Sequence, residues 1–210
     1  MTSTATPVPA RREPELAGQT VLVIGGSAGI GLEAARRARS EGAGVILTGR
    51  NPGRLQDAAA ELGAQSTAAF DATDFGRLER FFQELPTPID HVLVTGPGPY
   101  YAPLADLDRG RAHRDFDAHL WLAVAVAQHA VGRVRPGGTL LFMGGTGGRG
   151  RGPGLSLIAA GTAALPALIA NLAVEVAPVR VNLIAAGFVD TPLSASLLGG
   201  DDIPGAARQG

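Results

Sequence analysis

Two hydrophobic patterns alternate along this chain. Short apolar runs, rich in β-branched residues, occur at Gln19–Ile24, Gly44–Thr48, Ser66–Phe70, Ile89–Thr95, Gly138–Met143 and Val179–Ile184. Between them lie stretches of helix-forming residues, at Gly29–Glu41, Gly53–Leu62, Asp74–Glu84, Arg111–Val134 and Leu155–Ala177. Runs without polar alternation belong to strands buried on both faces. Their regular alternation with helices predicts an α/β fold, a three-layer doubly wound parallel sheet with helices on both sides. The pattern covers residues 18–192 without an internal linker or repeat, so one domain is expected there. Residues 1–17 read as a disordered lead-in, and 193–210, ending GGDDIPGAARQG, as a polar tail.

The sharpest break in the pattern is VLVIGGSAGIG, Val21–Gly31. A buried strand stops at Gly25-Gly26, Gly29 and Gly31 follow, and helix formers resume. Glycines there allow positive φ and close approach of the backbone to a ligand. A new helix N-terminus offers free N–H groups and the positive end of its dipole to a phosphate. In a doubly wound sheet the ligand lies at the carboxyl ends of the strands, near the switch point. The glycine turn is therefore read as a nucleotide site, with Gly25, Ser27, Ala28, Gly29, Ile30 and Gly31 contributing.

Composition narrows the chemistry. The 210 residues contain no cysteine, which excludes disulfides and thiolate metal sites. All 18 basic residues are arginine, so any mechanism requiring a lysine is excluded. A net charge of −1 gives no footprint for nucleic acid or an acidic membrane. No apolar run is read as approaching the roughly 20 residues of a membrane span, the N-terminus lacks a secretory core, and a cytoplasmic protein is expected. His91, His113 and His129 have no metal-ligand spacing, and no metal site is expected.

Other strand ends add candidates. Thr48-Gly49-Arg50-Asn51 follows the second strand and carries no carboxylate. A carboxylate there would hold a ribose 2′-OH, whereas an arginine suits a 2′-phosphate, so NADP(H) is expected over NAD(H), with Arg50 and Asn51 in contact. Asp71-Ala72 follows the third strand, and Asp71 can accept from an adenine amino group. Asp74 is equally readable as a helix N-cap. Thr95-Gly96-Pro97 brings backbone toward the cofactor after the fourth strand, and Tyr100 and Tyr101 come next.

With these segments in view, the chain resembles the short-chain dehydrogenase/reductase family from about Gly18 to Pro192. Ile24–Gly31 matches the family's T-G-x-x-x-G-[IL]-G, and Asp71-Ala72 its adenine-binding Asp. Thr95-Gly96-Pro97-Gly98 stands where the family has N-N-A-G. Arg180-Val181-Asn182 and Ala185–Pro192 resemble R-V-N-x-[IV]-x-P-G-x-[VI]-x-T-P. The resemblance implies a Rossmann fold with strand order 3-2-1-4-5-6, and leaves open whether the family's last strand is present. It also implies cofactor contacts from Gly187, Val189 and Thr191, with Thr191 on the nicotinamide amide.

The family's Asn-Ser-Tyr-Lys chemistry does not carry over. Aligned with Y-x-x-x-K-A-A-L, the segment Ile158–Leu165 places Ile158 at the Tyr and Thr162 at the Lys. Gly145 falls at the Ser and His119 at the Asn. Neither Ile158 nor Gly145 can give a proton to a developing alkoxide. His119, Tyr100, Tyr101 and Thr146 are the candidate replacements, each also readable as structural. Arg149 and Arg151 lie in a glycine-rich loop that is either solvated or anion-binding.

The segments 111–134 and 155–177 are apolar around most of their circumference, which predicts pairing across subunits of a homo-oligomer. Pro166 is expected to kink the second. Three functions are consistent with these features: an NADP(H)-dependent oxidoreductase acting on a small carbonyl-type substrate, a non-redox enzyme (isomerase, cyclase or dehydratase) in the same pocket, or a catalytically silent nucleotide-binding or scaffold subunit.

Overall fold

A computed structural model describes residues 15–191 apart from Thr87, Pro97, 147–149 and Phe188. The expected lead-in and tail fall almost wholly outside these residues. Strands β1 (Thr20–Ile24), β2 (Gly44–Gly49), β3 (Ser66–Ala69), β4 (Ile89–Val94), β5 (Val134–Gly145) and β6 (Arg180–Ala186) form one sheet in the order β3-β2-β1-β4-β5-β6. All five pairings are parallel. This is the expected doubly wound sheet, with the chain reversing direction between β1 and β4. The carboxyl ends of the strands therefore meet along one rim.

Alternating side chains of the strands feed two cores. Leu22, Ile24, Ile46, Val92, Leu140 and Phe142 face one side. They pack there with α3 (Phe75–Glu84), α5 (Leu122–Ala130) and α6 (Ser156–Glu175). Val21, Val23, Val45 and Leu47 face the other, against α1 (Gly29–Ser40) and α2 (Pro52–Leu62). The second layer is incomplete: among the described residues no helix covers β5 and β6 on that side. Leu141 and Met143 are consequently only half-buried, and Ile184 is 44% exposed.

Three expectations need correction. The stretch 111–134 is not one helix. It divides into α4 (Arg109–Phe116), a π-helical turn (Asp117–Trp121) and α5, with the Leu122 N–H reaching back five residues to the Asp117 carbonyl. The helix ends at Ala130 because Gly132 turns the chain at φ +74°, and Val134 already pairs with Ile89 as the start of β5. The punctuation Pro136-Gly137-Gly138 concealed this longer strand; it forms an irregularity in the β4–β5 register, not a loop.

Pro166 lies inside α6, which runs as one helix from Ser156 to Glu175. The third correction is that α6 is long and apolar enough to cross a membrane, with a mean hydropathy of 1.9 over 18 residues. Its alanines, glycine and threonine masked the run in the sequence. One stripe of it, Ile158, Leu165, Ile169 and Leu172, is buried in the domain. That stripe could not face lipid without abandoning the sheet.

Candidate active site

The glycine turn is built by mutual contact. Gly25 takes φ +91°, and the N–H groups of Gly25 and Gly26 both donate to the Thr48 carbonyl, at 3.1 and 2.9 Å. A Cβ on Gly31 would stand 2.2 Å from the Gly25 carbonyl oxygen, so α1 packs directly on the turn. The Thr95 hydroxyl closes the other side, within 3.1 Å of the Ile24 carbonyl and 3.2 Å of the Gly25 carbonyl, either of which can accept its hydrogen.

Helices α2, α3 and α4 each have a side-chain cap: Asn51 accepts from the Arg54 N–H, Asp74 from Arg77 and Asp108 from Arg111. Helix α1 has none; Ala28 precedes it in extended conformation and Gly29 begins it at φ +54°. Among the described residues no side chain caps its first turn, and N–H groups in that position suit a ligand that brings acceptor oxygens. Thr191 sits over this turn, 3.6 Å from where a Gly29 Cβ would be, with Ser27 and Ile30 half-buried beside it. An array of backbone donors at a positive dipole end suits a dinucleotide diphosphate, so the residues present fit that cofactor.

Along the rim, Ser27 approaches β2 so closely that a Cβ on Gly49 would meet its hydroxyl at 2.6 Å. Arg50 is exposed just beyond, without an ion-pair partner among the described residues. The Asn51 side chain is committed to capping α2, and Asp74 to capping α3. Asp71 uses one oxygen, Oδ1, to accept from both the N–H and the hydroxyl of Thr73, at 2.9 and 2.8 Å. Among the described residues its Oδ2 has no donor. Ala72 lies half-buried next to it, whereas Gly96, Gly187 and Val189 are exposed at the rim. Pro97 and Arg149 lie outside the described residues.

The candidate proton donors occupy different surroundings. His119 lines a narrow cleft with Gly96, Ala118, Phe142, Met143 and Leu165, at the ends of β4 and β5. Its Nδ1 lies 2.7 Å from the Asp115 carbonyl and 3.7 Å from the Asp115 carboxylate. Tyr100 is buried, and its hydroxyl accepts from the Asp108 N–H at 3.1 Å while the Arg111 guanidinium stacks 4.3 Å above its ring. These contacts give Tyr100 the job of fixing the loop before α4. Burial, and then the nearby Asp115 charge, push the Tyr101 phenol above its ordinary range, which makes it a weaker acid.

Thr146 closes the end of β5, its N–H donating to the Ala186 carbonyl at 3.0 Å. Ile158 and Thr162 are buried, and the Thr162 hydroxyl lies 2.7 Å from the Ile158 carbonyl of its own helix. It is thus satisfied within α6 and does not reach toward the rim.

Asp115 escaped the sequence reading, although its spacing four residues before His119 puts both on one helical face. Its carboxylate is almost wholly enclosed and accepts from the Tyr100 N–H at 3.1 Å. Burial raises it above the usual carboxylate range, against the opposing pull of His119, that N–H and Arg111. A larger concavity, of about 340 Å³, lies at the opposite rim between the starts of β5 and β6. It is far from the glycine turn, and no group of three or more potential metal ligands occurs among the described residues.

Comparison with known proteins gives this architecture a family. The family model described as Enoyl-(Acyl carrier protein) reductase matches residues 25–209. The chain is a short-chain dehydrogenase/reductase. Among curated relatives, Short-chain dehydrogenase/reductase ATR9 of Stachybotrys chlorohalonatus is 29% identical over 194 residues, covering 83% of this chain and 75% of that protein.

Among solved structures, BdcA in complex with NADPH superimposes with a TM-score of 0.78 at 26% identity, over 85% of this chain and 74% of that one. The MalC Reductase/Diels-Alderase from Malbranchea aurantiaca gives 0.75 at 27% identity, over 87% and 80%. As a short-chain dehydrogenase/reductase, the chain is of oxidoreductase type, in a family that acts on small molecules.

Proposed function

We propose that this short-chain dehydrogenase/reductase is an NADP(H)-dependent reductase of a small carbonyl compound, with His119 in place of the family's tyrosine as proton donor. The observation that carries the reading is the alignment of an uncapped, glycine-lined α1 N-terminus with a cleft whose one ionisable wall is His119, along the same sheet rim. The α1 N–H groups and the glycine turn would hold the diphosphate, Asp71 the adenine amino group, and Thr191 the carboxamide end. Arg50 would pair with a 2′-phosphate, as the NADPH complex of BdcA makes reasonable for a relative. When bound, the reduced dinucleotide supplies a hydride to the carbonyl carbon. His119 gives its proton to the oxygen, and the apolar walls from Ala118, Phe142 and Leu165 exclude water.

Calorimetric titration with NADPH and NADH tests the cofactor half. NADPH should bind more tightly, and Arg50→Ala should weaken NADPH by roughly ten- to a hundredfold, as about 1.5–3 kcal/mol for a charge-assisted hydrogen bond implies, while leaving NADH unchanged. Binding of neither nucleotide would overturn the reading and favour a scaffold role. Consumption of NADPH across a panel of aldehydes and ketones, abolished by His119→Ala, tests the chemical half. A second reading has its own support in the MalC structure, whose name joins reductase and Diels-Alderase. Turnover without any change in nicotinamide absorbance would establish that non-redox alternative.

A further inference from the structure

The π turn Asp117–Trp121 interrupts an otherwise continuous helix at His119, the one ionisable residue on the cleft wall. A residue inserted in a helix rotates the next turn about the axis, and such bulges recur at functional sites because they re-aim a side chain. Here the His119 ring reaches back one turn. A carbonyl can only accept, so Nδ1 at 2.7 Å from the Asp115 carbonyl must carry a hydrogen. This leaves Nε2, across the ring, as the nitrogen with no hydrogen-bond partner among the described residues.

The Asp115 carboxylate stands 3.7 Å from the same Nδ1, with only 9% of its side chain exposed, against 12% for His119. The π turn contributes His119 itself, α4 contributes Arg111, and the preceding loop contributes Tyr101 and the Tyr100 N–H. The β4, β5 and α6 walls of the cleft contribute only Val94, Gly96, Phe142, Met143 and Leu165, none of them charged.

We propose that Asp115 is the positioning residue of an Asp115–His119 pair, its carbonyl fixing the His119 tautomer and its carboxylate stabilising the imidazolium that delivers a proton from Nε2. The pair rests on the reductase reading above for its substrate. In that step the hydride from a reduced nicotinamide joins the carbonyl carbon, and the C=O π pair moves to oxygen. That oxygen takes the Nε2 proton, leaving a neutral imidazole whose Nδ1–H still donates to the Asp115 carbonyl. Solvent then returns one proton to Nε2, and the Asp115 carboxylate is unchanged throughout. The arrangement uses backbone and carboxylate of one residue to do what a separate orienting group does for other catalytic histidines.

The test begins with the nucleotide-free full chain labelled with ¹⁵N-histidine, in which four histidine rings are to be assigned, His119 by comparison with His119→Gln. Long-range ¹H–¹⁵N spectra should show neutral His119 as the Nδ1–H tautomer. Carboxyl ¹³C spectra should show the Asp115 titration moving to higher pH in His119→Gln, because the ring charge no longer favours the carboxylate. Asp115→Asn retains an acceptor for the Tyr100 N–H. In that variant kcat should fall at least tenfold with KM little changed, and the basic limb of the kcat profile should move to lower pH.

An Nε2–H tautomer, or an Asp115 titration indifferent to His119, would overturn the pairing whatever the activity. An unshifted pH profile in Asp115→Asn would overturn the carboxylate's role. A pairing seen by both spectra, with no carbonyl compound reduced, would sustain the pair and overturn the reductase reading.

Discussion

Asp115 is held where an ionised carboxylate has little water. Its native carboxyl is raised above the unfolded value of about 3.9, burial being the larger cause. The native state therefore binds protons more strongly than the unfolded chain. The stabilisation this gives is fully present below the unfolded pKa and is lost as pH rises through the native one. Asn at this position imitates the neutral acid and keeps the acceptor for Tyr100. Thermal melts should find Asp115→Asn more stable than the parent at pH 8, with the difference closing below about pH 4. A variant less stable than the parent at pH 8 would mean that the charge is a net asset to the fold. A gain in stability alongside a loss of turnover is the pattern expected of a residue kept for function.

The glycine turn was legible in the sequence, because backbone needs restrict which residue types can stand there. The Gly31 contact with the Gly25 carbonyl is an example. Asp115 was not legible, because an acidic residue on a helix is ordinarily solvated, and only packing of the Tyr100 loop over it makes it otherwise.

At the level of elements, strand–helix alternation announced the parallel sheet, since buried parallel strands have an unmistakable apolar run, while its order followed from the family resemblance. The π turn was invisible. Its residues, Asp117–Trp121, have ordinary helical composition, and one extra residue per turn leaves no mark on a periodicity already blurred by apolar residues on every side. Helix α6 was legible as a helix over Leu155–Ala177, close to its observed Ser156–Glu175; what its alanines masked was how long the apolar run is, and Pro166 was expected to kink it.

A proline there lacks the N–H that would donate to the Thr162 carbonyl, and its ring crowds that carbonyl. The Thr162 side chain offers no relief, since a hydroxyl hydrogen-bonded back to Ile158 or Ala159 is spent on the preceding turn. Because Pro166 is itself exposed, replacement opens no cavity. Pro166→Ala should therefore stabilise the fold by about 1–3 kcal/mol, restoring one helical hydrogen bond and relieving the clash. Denaturant melts would register this as a higher midpoint at unchanged slope. A lower midpoint would show that the proline's shape is required by whatever packs against it.

What packs against α6 is a matter for the whole molecule. Once Ile158, Leu165, Ile169 and Leu172 are placed in the core, the helix still presents Ala160, Ala163, Ala164, Ala167, Ala170 and Val174 to the outside. Val174 is 78% exposed, and Trp121, the chain's only tryptophan, is 59% exposed on the π turn that α6 contacts. Scattered exposed apolar residues are ordinary, but a continuous stripe along a five-turn helix is not. Small residues allow two helix backbones to approach closely, and a pair of such faces from two copies would bury each other by symmetry.

We therefore expect a dimer by light scattering. Ala167→Arg puts a charge at the middle of the stripe, where a partner helix would leave it no water, and should give the monomer mass with Trp121 emission shifted to the red. An unchanged mass would move the interface elsewhere, to the uncovered side of β5 and β6 around Ile184. Since His119 belongs to the same π turn as Trp121, the separated monomer should also lose turnover more than nucleotide affinity. The glycine turn that would hold the dinucleotide lies on β1 and α1 and owes nothing to that face.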